Sequence, residues 1–249
     1  MGGFYAASAW FRVICMKYND IPGWFNPIDQ AGFAWALDFQ NDTGTKGDLL
    51  ELGTFLGKSA ILMGQKLKPG ERLTVCDLFE EVMTWEGTNP VEKAFFGNKT
   101  PTRQAFETNY LAFHDQLPEI VQGPTGEICG HVAAGSCRFV HIDASHVYDN
   151  VREDTASARQ VLQENGVVVF DDYRKPQCPG TAAAVWEAIL NDGLQPVFAT
   201  DAKLYATWGD PEPLRRAIIA RARASDWCRT GDPVAIRDMA VVRLARNGK

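Results

Sequence analysis

Short apolar runs alternate with longer amphipathic segments from residue 48 onward. The short runs predict strands at 48–52, 73–76, 119–122, 138–142 and 166–170. Segments with helical spacing lie between them, at 59–67, 101–117 and 147–162, and Asn165-Gly166 is the predicted C-cap of the last of these helices. Continuous apolar strands are typical of a parallel sheet that is buried on both faces. The alternation therefore predicts a doubly wound, Rossmann-like α/β fold with helices on both faces of a mostly parallel sheet.

The pattern changes after a predicted helix at 181–190. Residues 195–200 and 203–207 form two strand-like runs that only a turn separates. Parallel strands need a long crossover connection, so these two strands can pair only as an antiparallel hairpin. The expected sheet is thus parallel for most of its width and ends in one C-terminal hairpin.

The chain is predicted to have three parts. Residues 1–47 form a helical N-terminal lead-in, with its best helix at 27–40, and residues 48–208 form the main domain. Residues 209–249 form a basic C-terminal extension. Within it, residues 211–249 hold nine Lys/Arg and four Asp/Glu, a net charge of +5, against −11 for the rest of the chain. We expect this extension to pack on the acidic body or on a partner subunit.

Composition excludes several classes of protein. Hydrophobic residues make up 45% and charged residues 22%, as in an ordinary globular chain, which excludes a disordered, collagenous or coiled-coil protein. No apolar run is long enough for a transmembrane helix. The apolar stretch at 4–16 lacks a basic flank and is broken by Arg12, so no signal peptide is expected. A net charge of −6 argues against general nucleic-acid binding. Six cysteines without C-x-x-C spacing indicate reduced thiols, and a cytoplasmic protein is expected.

A glycine-bearing turn follows the first predicted strand, in the sequence Glu51-Leu-Gly53-Thr-Phe-Leu-Gly57-Lys-Ser59. Glycine is needed where a backbone passes close to a ligand, and the next helix supplies free N–H groups. The spacing is neither the dinucleotide pattern G-x-G-x-x-G nor a P-loop. Glu51 would repel a pyrophosphate and suits a cationic ligand. Taken alone, the turn fits a plain tight turn equally well.

The second predicted strand ends in Asp77, 26 residues after Glu51. An acid at this position can accept hydrogen bonds from both ribose hydroxyls of a nucleoside. Together with the glycine turn it predicts a site for S-adenosylmethionine, with the ribose on Asp77 and the amino-acid part near Gly53. The predicted cofactor residues are Glu51, Gly53, Thr54, Ser59, Asp77 and Asp143.

Three carboxylates follow two neighbouring strands. Asp143 ends one apolar run, and Asp171 and Asp172 end the next. Ligands of open α/β sheets sit beyond the carboxyl ends of the strands, so these acids are expected to converge. Their charges would need a shared cation, and oxygen ligands suit Mg²⁺, Ca²⁺ or Mn²⁺ rather than zinc. The alternative is that the acids are ordinary loop acids or helix caps.

Two histidines accompany these acids. His146 lies three residues beyond Asp143, where the next helix begins, and an imidazole there can take a proton at neutral pH. His141 lies within the strand and is expected to have a structural role. His146 is therefore the candidate general base.

The segments ELGTFLGKS, FVHIDASHVYDNVRED and GVVVFDDY resemble the class I S-adenosylmethionine-dependent methyltransferases, and most closely the metal-dependent macrocin-type sugar O-methyltransferases. The resemblance covers about residues 48–207 and implies a seven-stranded sheet whose last strand is antiparallel. It further implies Mg²⁺ held by Asp143, Asp171 and Asp172, with His146 as base. Catechol O-methyltransferases are similar but carry lysine at that position. Ala144 replaces the family's usual glycine.

The prediction is a Mg-dependent O-methyltransferase acting on a small natural product, either a sugar or another polyhydroxylated compound. The expected partner is this hydroxyl-bearing acceptor. No binding to nucleic acid or to a membrane is expected, and the chain can be either a monomer or a homo-oligomer. A catechol or phenol methyltransferase and a non-catalytic cofactor-binding protein remain as alternatives, and a nicotinamide-dependent dehydrogenase is disfavoured by the missing G-x-G-x-x-G. Residues 78–100 are too long for a usual connection and predict a functional loop. Aromatic residues that either cover the site or belong to the core are Trp24, Phe25, Trp85, Phe95 and Phe96.

Overall fold

The computed structural model describes residues 16–84, 86, 90–96, 101–231 and 234–247. Helices in these residues are α1 (Pro27–Asp42), α2 (Lys58–Gly64), α3 (Pro90–Phe96), α4 (Arg103–Leu111), α5 (Tyr148–Val161), α6 (Pro179–Asn191) and α7 (Glu212–Arg223). Strands are β1 (Asp48–Leu52), β2 (Leu73–Asp77), β3 (Glu119–Gln122), β4 (Cys137–Ile142), β5 (Leu162–Phe170), β6 (Gln195–Ala199), β7 (Leu204–Thr207), β8 (Cys228–Thr230), β9 (Val234–Ile236) and β10 (Met239–Arg246). None of the described helices is long and apolar enough to cross a membrane.

The predicted fold class is confirmed. The first seven strands lie in the order β3-β2-β1-β4-β5-β7-β6. β1 to β5 run parallel, and β7 is antiparallel to both of its neighbours, β5 and β6. The predicted hairpin is therefore the pair β6–β7. Because β7 runs in the opposite direction, its first residue lies at the edge where the parallel strands end.

Two apolar cores cover the two faces of the sheet, because successive strand residues point to opposite sides. Leu49 and Phe139 face the core formed with α1, α2, α4 and α7. Leu50 and Val140 face the core formed with α5 and α6. Helices on both faces bury the central strands of the sheet and leave its carboxyl edge as the place for a site.

The C-terminal extension continues the sheet beyond the seven strands. β10 pairs with β6 in parallel, and it also pairs with β8 and β9. On the face of α1, Arg221 of α7 lies 3.1 Å from Asp42 and 3.6 Å from Asp38. The described part of the basic extension thus packs on the chain's own acidic body.

The largest differences from the predicted helices concern α5 and α4. The predicted C-cap at Asn165-Gly166 is wrong, because α5 ends at Val161 and β5 begins at Leu162, which pairs with Cys137 of β4 before a bulge. The predicted helix at 101–117 is shorter. Thr102 caps its start by accepting a hydrogen bond from the N–H of Ala105, and α4 ends at Leu111.

Candidate active site

Residues from five chain segments meet at the carboxyl edge of the sheet. Gly53 follows β1, Asp77 ends β2, Asp143 follows β4 and Asp171 follows β5. Lys203 immediately precedes β7, whose reversed direction brings its first residues to this same edge. The edge is the usual ligand position of an open α/β sheet.

Two cavities adjoin one another at this edge. The first cavity has a volume of about 440 Å³ and the second about 470 Å³, both within the usual range of small-molecule sites. The two cavities share Gly53, Phe55, Asp143 and Ala144 in their walls. Two different small molecules bound in them would therefore meet at the glycine turn.

The glycine turn passes unusually close to the end of β4. Gly53 has a φ of +80°, in the left-handed region that favours glycine. A β-carbon on Gly53 would lie 2.3 Å from the backbone oxygen of Asp143 and 2.5 Å from the backbone nitrogen of Ala144. No larger residue fits without moving this backbone, so the wall shared by the two cavities depends on Gly53.

Asp77 holds the glycine turn in place. Its Oδ2 accepts hydrogen bonds from the backbone N–H groups of Thr54 at 2.7 Å and Phe55 at 2.9 Å, and its Oδ1 accepts one from Phe79 at 2.7 Å. Burial raises the pKa of Asp77, although these N–H groups act in the opposite direction. A carboxylate offers about four acceptor sites, so roughly one remains for a ligand in the first cavity.

We predict that Asp77→Asn weakens binding of S-adenosylhomocysteine by about 10- to 100-fold, the loss of about 1–3 kcal/mol expected for hydrogen bonds to a charged acceptor. An amide would direct two N–H donors toward backbone donors and would loosen the turn. Isothermal titration calorimetry measures the effect, and Asp115→Asn serves as the control because Asp115 is exposed and lines neither cavity. Equal affinity in both variants would remove Asp77 from the cofactor site.

Glu51 lies behind the turn and lines neither cavity. Its carboxylate is fully buried and accepts hydrogen bonds from the hydroxyl of Thr54 at 2.7 Å and from Nδ1 of His141 at 2.8 Å. Burial, followed by the charge of Lys203, lowers the pKa of His141, so its imidazole is neutral. The neutral ring donates from Nδ1 and accepts at Nε2 from the ammonium of Lys203, 3.0 Å away. Glu51 and His141 thus connect the glycine turn to Lys203 through hydrogen bonds behind the cavities.

Lys203 lies among the acids at the base of the second cavity. Its Nζ is 2.7 Å from Oδ1 of Asp171 and 3.8 Å from Oδ2 of Asp143. Burial opposes the charged form, yet Asp171, Asp143 and Asp29 together raise the pKa of Lys203 to about 12. Burial is the largest single influence on Asp171 and acts to raise its pKa, but the charge of Lys203 and the hydrogen bonds from Asp143 and Lys203 together lower it. Burial and the charge of Asp171 raise the pKa of Asp143 well above its ordinary value.

His146 and Asp172 lie side by side in the wall of the second cavity. Nε2 of His146 is 3.7 Å from Oδ2 of Asp172, and both side chains are partly exposed. The backbone N–H of His146 donates to Glu92 of α3 at 3.2 Å. Asp172 has a φ of +52°, which is costly for a residue other than glycine.

The three predicted metal ligands do not gather around one point. Among the described residues, the only three His, Cys, Asp or Glu side chains with ligand atoms within 4.8 Å of one another are His146, Asp172 and Cys178. Asp171 is directed instead to Lys203, with Asp143 beside it, and Asp172 turns away to His146. This arrangement does not fit a magnesium ion held by all three acids.

Part of the chain matches the sequence model of a known protein family. A family model described as "Methyltransferase domain" matches residues 50–173, which contain the glycine turn, Asp77 and the acids after β4 and β5. The chain is a class I S-adenosylmethionine-dependent methyltransferase. No curated protein sequence matches it.

Solved structures share the methyltransferase fold at low sequence identity. The O-methyltransferase NovP is 15% identical with a TM-score of 0.58, and the match covers 73% of this chain and 81% of NovP. CalS11, described as a TDP-rhamnose 3'-O-methyltransferase of calicheamicin biosynthesis, is 16% identical with a TM-score of 0.50, covering 77% and 85%. Cofactor-bound Rv0187 from MTB is 17% identical with a TM-score of 0.52, covering 73% and 81%.

Five of the six predicted cofactor residues of this methyltransferase line one or both cavities, and Glu51 lines neither. Gly53, Asp77 and Asp143 line the first cavity, whereas Thr54 and Ser59 line only the second. Trp24 and Phe25 also line the second cavity. Trp85 lies outside the described residues, as do the side chains of Phe95 and Phe96.

Two parts of the site are not predicted by the sequence pattern. The loop at 123–127 after β3 forms one wall of the first cavity, and its Gly123-Pro124 dipeptide was the available signal. The sequence pattern identifies Lys203 only as the first residue of a strand. Its position before an antiparallel strand implied the carboxyl edge, but nothing in the sequence pairs it with Asp171.

Proposed function

We propose that this methyltransferase transfers the methyl group of S-adenosylmethionine to a hydroxyl of a small natural product, either a sugar or another polyhydroxylated compound. One observation carries the proposal. Two cavities of similar size share the Gly53 turn, and the second holds a histidine with a carboxylate beside it. Such a pair of sites suits a cofactor and an acceptor that must meet.

The first cavity is the proposed cofactor site. When bound, S-adenosylmethionine supplies an electrophilic methyl group on a sulfonium. The close approach of Gly53 to Asp143 leaves room for a ligand against the backbone, and Asp77 offers its remaining acceptor site to a ribose hydroxyl. Glu127 and Glu153 add negative charge to the wall of this cavity, which suits a cationic ligand.

The second cavity is the proposed acceptor site. His146 takes the proton of the acceptor hydroxyl on Nε2, and the oxygen then attacks the methyl carbon as the carbon–sulfur bond breaks. Asp172, 3.7 Å from Nε2, stabilises the imidazolium that forms. Holding the hydroxyl beside the shared wall supplies the remaining acceleration by positioning.

The lining of the second cavity supports a polyhydroxylated acceptor. It combines the aromatic side chains of Trp24 and Phe25 with hydrogen-bonding side chains. The latter include Asn26, Lys58, Lys175 and Gln177. CalS11 is described as acting on TDP-rhamnose, which is consistent with this substrate class. A catechol or phenol acceptor is the second candidate, since the aromatic walls would also bind a planar ring.

The magnesium requirement implied by the resemblance is not part of the proposed chemistry. The three acids do not fit a single ion, because Asp171 pairs with Lys203 and Asp172 faces His146. No step above uses a metal.

The test is a mass-spectrometric screen of the purified chain with S-adenosylmethionine and a panel of sugars, nucleotide sugars, flavonoids and catechols. We expect a gain of one methyl group on a sugar or polyhydroxylated compound, abolished in His146→Ala. Methylation confined to catechols would favour the second candidate. Cofactor binding without turnover on any compound would favour a non-catalytic protein.

A further inference from the structure

The buried ammonium of Lys203 occupies the centre of the acid cluster. Lys203 is 1% exposed, and Asp171, at 2.7 Å from Nζ, is 7% exposed. Phe25 and Phe33 cover the ammonium, with ring centres 5.5 and 5.6 Å from Nζ. A fully buried lysine is rare unless its charge is paired, and here the pairing is with a residue predicted to bind metal.

We propose that Lys203 is the resident cation of this site, so that the chain neutralises Asp143 and Asp171 itself and methyl transfer needs no divalent metal. The statement about methyl transfer rests on the proposed function. Whether the cluster of Asp143 and Asp171 binds a divalent ion is a separate physical property and can be measured without any reaction. Lys203 acts here as a positioning residue, because it holds the two acids that border the acceptor cavity.

Electrostatics make the lysine and a divalent ion exclusive alternatives. An ion coordinated by Asp171 would lie close to the ammonium, and like charges at such distances repel strongly in a site with little water. Mg²⁺ also requires octahedral coordination, mostly by oxygen. At Asp171, one carboxylate oxygen already faces the ammonium and Asp172 is directed elsewhere.

The ammonium is held from beneath by a buried line of hydrogen bonds. Lys203 donates to Nε2 of His141, whose Nδ1 donates to Glu51, which in turn accepts from Thr54. Nε2 of His141 is available to accept from the ammonium because Nδ1 carries the proton that is donated to Glu51. The line joins the acid cluster to the glycine turn and fixes the lysine without help from an external ion.

Mn²⁺ titration followed by electron paramagnetic resonance tests the proposal on the full chain without any acceptor. Wild type is expected to leave the free-ion signal of Mn²⁺ unchanged up to millimolar concentration. Lys203→Met removes the charge at similar length and is expected to bind Mn²⁺ at least about tenfold more tightly than wild type. Adding Asp171→Asn to that variant should abolish the gain. Lys46→Met is the matched control, because Lys46 is exposed and lines neither cavity.

Stoichiometric Mn²⁺ binding by wild type that Asp171→Asn abolishes would overturn the proposal. Circular dichroism checks the fold of Lys203→Met, and if that variant does not fold, wild type and Asp171→Asn alone decide. Turnover in excess EDTA, once an acceptor is known, should equal turnover with added Mg²⁺. A screen without any product would refute the proposed function, yet the Mn²⁺ titration would still decide whether the site holds a metal.

Discussion

Replacing His146 with alanine is expected to lower kcat by about 10²- to 10⁴-fold, the usual contribution of a positioned general base. His146 lines the second cavity, and its Nε2 faces that cavity beside Asp172. The other acids nearby are poor bases, because the ammonium of Lys203 lies 2.7 Å from Asp171 and 3.8 Å from Asp143 and stabilises both carboxylates. Without the imidazole, the acceptor hydroxyl would have to lose its proton to water.

Affinity for S-adenosylhomocysteine should remain within about twofold of wild type in His146→Ala, since His146 lines only the second cavity. His146→Gln keeps most of the volume and should lose as much activity as the alanine variant. His131→Ala is the control, because His131 is exposed and lines neither cavity. Steady-state kinetics with the acceptor found by the screen measure kcat. A decrease below about tenfold would leave His146 as a wall of the cavity and assign the proton to another group.

Replacing Gly53 with alanine is expected to weaken S-adenosylhomocysteine binding at least about 100-fold, on the order of 3 kcal/mol. The added methyl group would stand 2.3 Å from the backbone oxygen of Asp143, in addition to the strain of a φ of +80°. The backbone at the end of β4 cannot shift freely, because Asp143 donates its N–H to Leu52. The turn must therefore move, and the wall shared by the two cavities moves with it.

Gly70→Ala separates strain from collision. Gly70 has a similar φ of +86°, but a β-carbon there would meet nothing within 4 Å. It should therefore lose only about 1–2 kcal/mol of stability and bind the cofactor product normally. Calorimetry and thermal unfolding of both variants make the comparison. Normal binding of S-adenosylhomocysteine by Gly53→Ala would show that the glycine turn does not form a wall of the cofactor site.

The hydrophobic pattern was sufficient to predict the sheet and the residues at its edge. Strands of a parallel sheet read as continuous apolar runs, and the residue after each run lies at the carboxyl edge. Gly53, Asp77, Asp143 and Asp171 were each identified in this way, and the structure brings all four to that edge. Their roles in binding and catalysis stay predictions. The chain's fold and its membership of the class I methyltransferases are confirmed.

The ends of elements were less predictable than their cores. The predicted helix cap at Asn165-Gly166 is wrong, because Leu162 already pairs with Cys137 of β4 and the helix ends before the Asn-Gly pair is reached. Three further strands in the C-terminal extension also went unpredicted. They are short or pair at the far edge of the sheet, where their sequences are not apolar throughout.

By itself, the sequence determined the positions of the apolar strands along the chain, the glycine turn and the acids that follow the strands. Only the tertiary structure decided how those acids are satisfied. Lys203 contacts Asp171 and also His141, which is 62 residues away in the sequence. His141 in turn contacts Glu51, which is 90 residues away. Local periodicity depends on neighbours within a few residues, whereas the pairing of buried charges depends on which side chains the completed sheet brings within hydrogen-bonding distance.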